Sequence, residues 1–157
     1  MNRTTLQVAC LLFAALAMGM HLAHALELHP KLQWGPELYF AVQSTLYKWF
    51  GIIGPLLEIA ALVLIAVLAY ASRANRVMFP CAAFSAGMLV VGLGVWAAVV
   101  MPANIGLSTW AITRSTPDDW MALRAQWQFG QAGILGLHLL GFCALATAVV
   151  RGAAPAR

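Results

Sequence analysis

Residues 49–72 read WFGIIGPLLEIAALVLIAVLAYAS and contain a single charged residue, Glu58. A helix needs roughly 20 predominantly apolar residues to cross the hydrocarbon core of a bilayer, so this stretch predicts a transmembrane helix. Because the backbone must satisfy its own hydrogen bonds in lipid, such runs form helices. Three further stretches of similar length carry no charged residue. The sequence therefore predicts an all-α, integral membrane four-helix bundle, a single transmembrane domain over residues 1–157 with helices at about 4–26, 49–72, 77–100 and 125–150.

The composition excludes several classes of protein. The 157 residues are 62% hydrophobic and 9% charged, and their mean hydropathy is +0.83. Soluble domains carry roughly 25% charged residues, so this chain lacks the polar surface of a soluble enzyme. It is also too apolar for a disordered chain. The net charge of +4 comes from scattered residues and not from a basic run. A nucleic-acid partner is therefore not expected.

The charges between the helices predict the orientation of the bundle. The N-terminus, the turn at residues 73–76 and the C-terminal tail hold five arginines and no acidic residue. The two longer connectors, about residues 27–48 and 101–124, hold charges of both signs. Cytoplasmic segments are enriched in Lys and Arg, so both termini are expected inside, with the larger loops outside the cell membrane. The helices would then run up-down-up-down, with the lipid bilayer as their surrounding partner.

The first apolar stretch has an alternative interpretation. Residues 1–3 (Met-Asn-Arg), the apolar run and residues 23–25 (Ala-His-Ala) are also typical of a secretory signal with a cleavage site. Cleavage would leave three spans. The uncharged run is longer than the usual signal core, which favours a retained helix.

Prolines in the connectors predict where helices begin and end. Residues 35–37 (Gly-Pro-Glu) predict the start of a short interfacial helix, because proline suits the first helical turn and an acid suits the helix N-terminus. Residues 116–119 (Thr-Pro-Asp-Asp) predict that helix four begins near Pro117. Pro102 follows the third apolar stretch, and the third helix is expected to leave the membrane there.

Small residues and cysteines point to packing. Glycines are dense in the apolar stretches, and Ala132 with Gly136 forms one small-xxx-small pair that favours close helix contact in lipid. The three cysteines, Cys10, Cys81 and Cys143, include no C-x-x-C pair. They are interpreted as small buried side chains. This excludes a quinone-linked disulfide oxidoreductase.

A few polar residues interrupt the apolar helices. Glu58 lies near the middle of helix two, three residues after Pro55, which is expected to kink that helix. The others lie on two helix faces, one at the outer end of helix one and one along helix four: His21, His24 and Glu27, and Trp127, Gln131 and His138. Together they predict a polar pocket inside the bundle, open to the outer side.

The rise per residue predicts the depth of these side chains. His21 and Gln131 would lie roughly 8–9 Å below the outer boundary, Glu58 about 13 Å and His138 about 19 Å. The difference of about 11 Å between His21 and His138 argues against both binding one metal atom, unless helix tilt closes the gap.

Four of these residues are candidates for catalysis. An isolated carboxylate in the membrane is unfavourable, so Glu58 is expected to be protonated or hydrogen-bonded to His21 or His138. Intramembrane ionisable residues commonly have functional roles, and imidazoles serve as proton carriers or ligands. The catalytic candidates are therefore Glu58, His21, His24 and His138. In the alternative interpretation they only form hydrogen bonds that hold the helices together.

Two segments resemble a known family. The segment from His24 to Trp49 resembles the opening of small four-helix membrane proteins grouped with the fungal anthrone oxygenases. Residues 102–104 (Pro-Ala-Asn) and 120–127 resemble that family's second loop and the entry to its fourth helix. The family's named members oxidise an activated methylene of a polycyclic phenol with dioxygen, without a bound cofactor. The resemblance implies site roles for these residues: His24, Glu27, Asn104, Trp120, Arg124 and Trp127.

The chain also departs from the family's pattern. An acid and then a histidine follow the tryptophan of the fourth helix in that pattern, whereas Gln128 and Gln131 stand here. If that histidine is the family's catalytic base, this chain has no histidine at the corresponding position. Gln131 is retained as a candidate for substrate binding, together with the residues that the resemblance implies.

Three hypotheses from different classes follow. The first is a small membrane oxygenase without a cofactor, in which Glu58, His21 or His24 takes a proton from a lipophilic phenol or quinol. The second is a haem or metal protein with His21 and His138 as ligands. The third is an accessory membrane protein whose polar residues only specify packing.

Overall fold

The computed structural model describes residues 2–113 and 115–153, without the side chains of residues 110–112 and 153. Of the described residues, 86% are helical, and none lies in a strand. Four helical stretches are long and apolar enough to cross a membrane: Arg3–Leu26, Phe50–Ala71, Met78–Thr109 and Trp120–Gly152. The predicted all-α four-helix bundle is confirmed.

In chain order the elements are α1 (Arg3–Leu26), α2 (Leu28–Lys31), α3 (Pro36–Thr45), α4 (Phe50–Ala71), α5 (Met78–Val95), a π-helical turn (Trp96–Val100), α6 (Met101–Thr113) and α7 (Trp120–Ala153).

The four long helices form a closed, antiparallel ring. α1 packs against α4 and α7, and α5 packs against the same two helices. Gly106, late in the third span, lies beside Leu123 at the start of α7, whereas Gly141 lies beside Ser85 early in that span. Neighbouring helices therefore run in opposite directions, as in an up-down-up-down bundle.

Two apolar clusters occupy opposite ends of the bundle. One surrounds the start of α1, the end of α4 and the end of α7, and includes Cys10, Ile65, Leu68 and Leu145. The other surrounds α3, the third span and the first half of α7: Tyr39, Phe40, Val100, Ala103, Leu107, Trp127 and Ile134. His21, Glu58 and His138 lie along the bundle between these clusters.

The third span is longer than predicted. α5 continues through the π-helical turn into α6, so the helix does not end before Pro102. The N–H of Met101 bonds to the carbonyl of Trp96, five residues earlier. In a regular helix the ring of Pro102 would clash with the carbonyl four residues back. The wider π-helical turn just before it relieves this clash, so the helix continues beyond its predicted end at about residue 100.

The connectors match the predictions only in part. α3 begins at Pro36, as the Gly-Pro-Glu pattern indicates, and it ends at Thr45. α7 begins at Trp120, not near Pro117. The N–H of Trp120 bonds to the carbonyl of Pro117, so Pro117 belongs to a turn that precedes the helix.

Only some of the glycines lie at helix contacts. A methyl group on Gly130 would lie 2.8 Å from Val100 Cγ2, and one on Gly141 would lie 3.3 Å from the carbonyl oxygen of Ser85. Nothing lies within 4 Å of such a group on Gly133 or Gly136. The Ala132–Gly136 pair therefore does not bring Gly136 against another helix of this chain, because Gly136 lies on the outer face of α7.

Gly130→Ala is expected to lower the apparent melting temperature in detergent, whereas Gly133→Ala is expected to leave it unchanged or raise it. Val100 is fully buried and β-branched, so it cannot rotate away from the added methyl group, and overpacking typically costs about 1–3 kcal/mol. At Gly133 the methyl group meets open space, and alanine favours the helix. Equal melting temperatures for the two variants would contradict this packing.

The cysteines are all free. Cys10 is buried, Cys81 is partly buried and Cys143 is exposed. The interpretation as small buried side chains therefore holds for Cys10 and is wrong for Cys143, which lies on the outer face of α7.

Candidate functional site

A cavity of about 710 Å³ lies at the α3 end of the bundle. The ends of α1 and the third span, the starts of α4 and α7, and α3 surround it. Its lining is mostly apolar and aromatic: Phe40, Tyr47, Phe50, Leu93, Trp96 and Leu107. A few polar side chains reach it from α1, α4, α6 and α7: His21, His24, Glu58, Asn104 and Gln131. An apolar cavity with a few convergent polar groups is typical of a site for a small molecule.

His21 connects two of these polar residues. Its Nδ1 lies 2.6 Å from Gln131 Oε1, and its Nε2 is hydrogen-bonded to Glu58 Oε1. All three side chains are buried. An amide oxygen can only accept, so Nδ1 carries a proton and Nε2 faces the carboxyl group of Glu58. One further proton is therefore shared between Nε2 and Glu58.

His138 lies directly behind His21. The two ring centroids are 4.8 Å apart with the rings nearly perpendicular, and His138 is 3% exposed. Neither ring nitrogen has a hydrogen-bond partner among the described residues. Gly92 leaves room for the imidazole, because a methyl group there would lie 3.1 Å from His138 Nε2.

The predicted separation of His21 and His138 by depth was therefore wrong. Counting the rise per residue gives the height of the backbone, but side chains lean towards the N-terminus of their own helix. α1 and α7 are antiparallel, so the two imidazoles lean towards each other.

His24 lies in an aromatic wall of the cavity. Its ring is 4.7 Å from that of Tyr47, 5.1 Å from that of Phe50 and 4.8 Å from that of Trp127, measured between centroids. Trp127 Nε1 donates a hydrogen bond of 2.7 Å to Asn104 Oδ1. The structure thus brings His24, Asn104 and Trp127 to one side of the cavity, one helical turn beyond His21.

Glu27 lies just beyond the cavity and is hydrogen-bonded to Tyr47, which lines it. It accepts a hydrogen bond from the Tyr47 hydroxyl, and Lys31 Nζ lies 2.9 Å from Glu27 Oε2. Lys31 is fully buried, with Nζ 3.7 Å above the Tyr47 ring. Burial lowers the pKa of Lys31, and the hydrogen bond and charge of Glu27 oppose that change. Sequence analysis missed this buried lysine, since a lysine in a connector ordinarily lies in water.

Trp120 and Arg124 do not line the cavity. The Arg124 guanidinium donates to the carbonyl oxygens of Lys31 and Trp34, at 3.2 and 2.7 Å, and stacks 4.3 Å from the Trp120 ring. Trp120 in turn packs against Tyr39 and Phe40. These contacts fasten the segment between α1 and α3 to α7.

Gln128 and Gln131 stand where the family pattern has an acid and then a histidine, and the two side chains lie in different places. Gln131 lies in the cavity against His21, so the imidazole beside the cavity comes from α1. Gln128 is fully buried and does not line the cavity, and neither atom of its side-chain amide has a hydrogen-bond partner among the described residues. Burial raises the pKa of Tyr39 to about 12, so this hydroxyl stays protonated at neutral pH.

Two lining residues mark where the cavity reaches the surface. Ile59 on α4 is 53% exposed and Met101 on the third span is 40% exposed, and both line the cavity. The cavity therefore reaches the surface of the bundle near these two side chains.

The chain matches no protein-family model, no curated protein and no solved structure.

Proposed function

We propose that the chain is a membrane enzyme that binds a lipophilic phenol in the cavity and removes a proton from it through the Glu58–His21 pair. Oxidation of the resulting anion by dioxygen would follow, as the resemblance to the anthrone oxygenases implies. The observation that carries this proposal is the buried Glu58–His21–Gln131 chain of hydrogen bonds at the wall of an apolar cavity.

The proton that Glu58 and His21 share suits the pair to remove a proton from the bound phenol. The pair has no net charge, whether the proton lies on Glu58 or on His21, so it is tolerated in the membrane. With the proton on His21, the Glu58 carboxylate is free to take a second proton from a bound molecule. The product is a neutral Glu58, a cationic His21 and an anionic substrate. The cation next to the cavity stabilises the anion that forms.

The overall reaction is balanced with dioxygen alone. An activated methylene of a polycyclic phenol loses one proton to Glu58, and the carbanion is oxidised by dioxygen. The methylene becomes a carbonyl group, and one molecule of water is released. The residues of this chain bind the molecule, remove the proton and hold the anion.

The orientation of the site in the cell is part of the proposal. Both termini lie in the cytoplasm, and the larger connectors lie on the outer side of the cell membrane. The excess of arginine at the termini and in the turn between α4 and α5 supports this orientation. The cavity would then lie in the outer half of the bilayer.

Anthrone is the substrate with which we would test the proposal. The detergent-purified protein is expected to bind anthrone with quenching of tryptophan fluorescence, and to convert it to anthraquinone with uptake of dioxygen. Gly54 lines the cavity with only Met20 near it, so Gly54→Leu is expected to fill the space and weaken binding at least tenfold.

Gly133→Leu is the matched control. Gly133 lies in a helix, faces away from the bundle and does not line the cavity. It is expected to bind and oxidise anthrone like the wild type. Oxidation no faster than in protein-free micelles, or equal activity in the Gly54→Leu variant, would overturn the proposal.

A further inference from the structure

The residues around His21 also have the composition of a metal site. One donor atom from each of His21, Glu58 and His138 lies within 4.8 Å of the other two. All three side chains are buried, and they come from three different helices, α1, α4 and α7. We propose that these three residues bind one divalent transition-metal ion, with zinc as the simplest case.

His138 is the observation that points to a ligand. It is a buried imidazole, 3% exposed, and neither nitrogen has a partner among the described residues. A buried polar atom without a partner costs about 1–3 kcal/mol, so such groups are ordinarily satisfied. Its neighbours are the His21 ring on one side and the Gly92 backbone on the other. A metal ion between His138, His21 and Glu58 would supply a partner for one of these two nitrogens.

The geometry is close to that of a bound ion. Zinc lies about 2 Å from imidazole nitrogen and carboxylate oxygen, so two donors in a tetrahedral site are about 3.3 Å apart. The three donor atoms here lie within 4.8 Å of one another, and rotation of the side chains would have to bring the most distant pair about 1.5 Å closer. The short contact between His21 and Glu58 would open, with both groups turning their donor atoms to the ion.

Gln131 already holds His21 in the orientation that a ligand needs. Metal-binding histidines usually bond their second nitrogen to an oxygen acceptor, which fixes the tautomer. Gln131 Oε1 accepts from His21 Nδ1 and leaves Nε2 directed towards Glu58. Two histidines and one carboxylate leave coordination positions open, a donor set found in catalytic zinc sites and in iron oxygenases.

The open positions would face the cavity. His21 and Glu58 line the cavity, whereas His138 lies behind them. A divalent ion with one carboxylate carries a net charge of +1, which is unfavourable in a bilayer. A ligand with one anionic oxygen, such as a phenolate, would bring the charge to zero. Metal binding by itself does not depend on the proposed function, because it can be measured without any substrate.

Titration of the chelator-treated protein in detergent with Co²⁺ and with Zn²⁺ tests this inference. The wild type is expected to bind one equivalent, with visible absorption bands for Co²⁺ and an increase in melting temperature for Zn²⁺. His138→Asn keeps a polar side chain of similar size and is expected to weaken binding at least a hundredfold. Gln131→Leu is expected to weaken it about tenfold to a hundredfold.

His29→Ala is the control, since His29 is an exposed histidine in the first connector. It is expected to bind both ions like the wild type. Failure of the wild type to bind one equivalent at micromolar concentration would overturn the inference, and so would equal binding by His138→Asn. Anthrone oxidation in the presence of chelator separates the two proposals. Oxidation without metal binding would leave only the proposed function, and metal binding without oxidation would leave only this inference.

Discussion

Glu58→Gln is expected to lower the rate of anthrone oxidation by about a hundredfold to ten-thousandfold, the range attributed to a positioned general base. The amide has the same size and can still hydrogen-bond to His21, but it cannot take a proton. Glu58 is buried at the wall of the cavity, and its only hydrogen-bond partner among the described residues is His21. The measurement is anthraquinone formation at saturating anthrone, together with fluorescence quenching to determine binding.

Binding should change little in this variant, because the cavity keeps its shape. A large fall in turnover with an unchanged Kd distinguishes a base from a residue that only holds the substrate. Glu37→Gln is the control, since Glu37 is an exposed acid on α3 outside the cavity. Turnover of Glu58→Gln within twofold of the wild type would refute the assignment.

Arg124→Ala is expected to lower the free energy of unfolding by about 3 kcal/mol. The guanidinium is 7% exposed and donates to two backbone carbonyls, at 2.7 and 3.2 Å. A hydrogen bond from a charged donor contributes about 1.5–3 kcal/mol, and both carbonyls would lose their partner. Stacking of the guanidinium on Trp120 is lost as well. Unfolding in detergent mixtures, followed by tryptophan fluorescence, measures the change.

Two other variants make this prediction specific. Arg124→Lys keeps the charge but not the planar group that reaches two carbonyls, and it should recover less than half of the loss. Arg76→Ala removes an exposed arginine in the turn between α4 and α5, and it should stay within about 0.5 kcal/mol of the wild type. An equally small effect for Arg124→Ala would show that these contacts do not hold the connector in place.

The Arg124 contacts also affect the cavity. They fasten residues 31–34 to α7, and the following helix, α3, supplies Phe40 and Gln43 to the cavity lining. Loosening this connector should therefore weaken anthrone binding as well as stability. This gives Arg124 and Trp120 an indirect effect on the site, although neither lines the cavity.

The sequence determined the helices and most of the polar residues of the site. Four long runs with one charged residue among them predicted four spans, because the hydrocarbon core demands about 20 apolar residues and internally paired backbone. Pro36 also predicted the start of α3 from local sequence, because proline suits the first turn of a helix. The intramembrane residues His21, Glu58 and Gln131 were evident from their type alone, since polar side chains are rare in such runs.

Only the tertiary structure decided which residues meet. From the rise per residue, His21 and His138 were predicted to lie at different depths. Their rings are in contact because each side chain leans towards the N-terminus of its own helix, and the two helices are antiparallel. The burial of Lys31 and the close contacts of Gly130 likewise arise between segments distant in sequence. The composition of an apolar run determines the length and the secondary structure of the span that it forms. The relative height and rotation of the helices depend on packing between side chains from different helices.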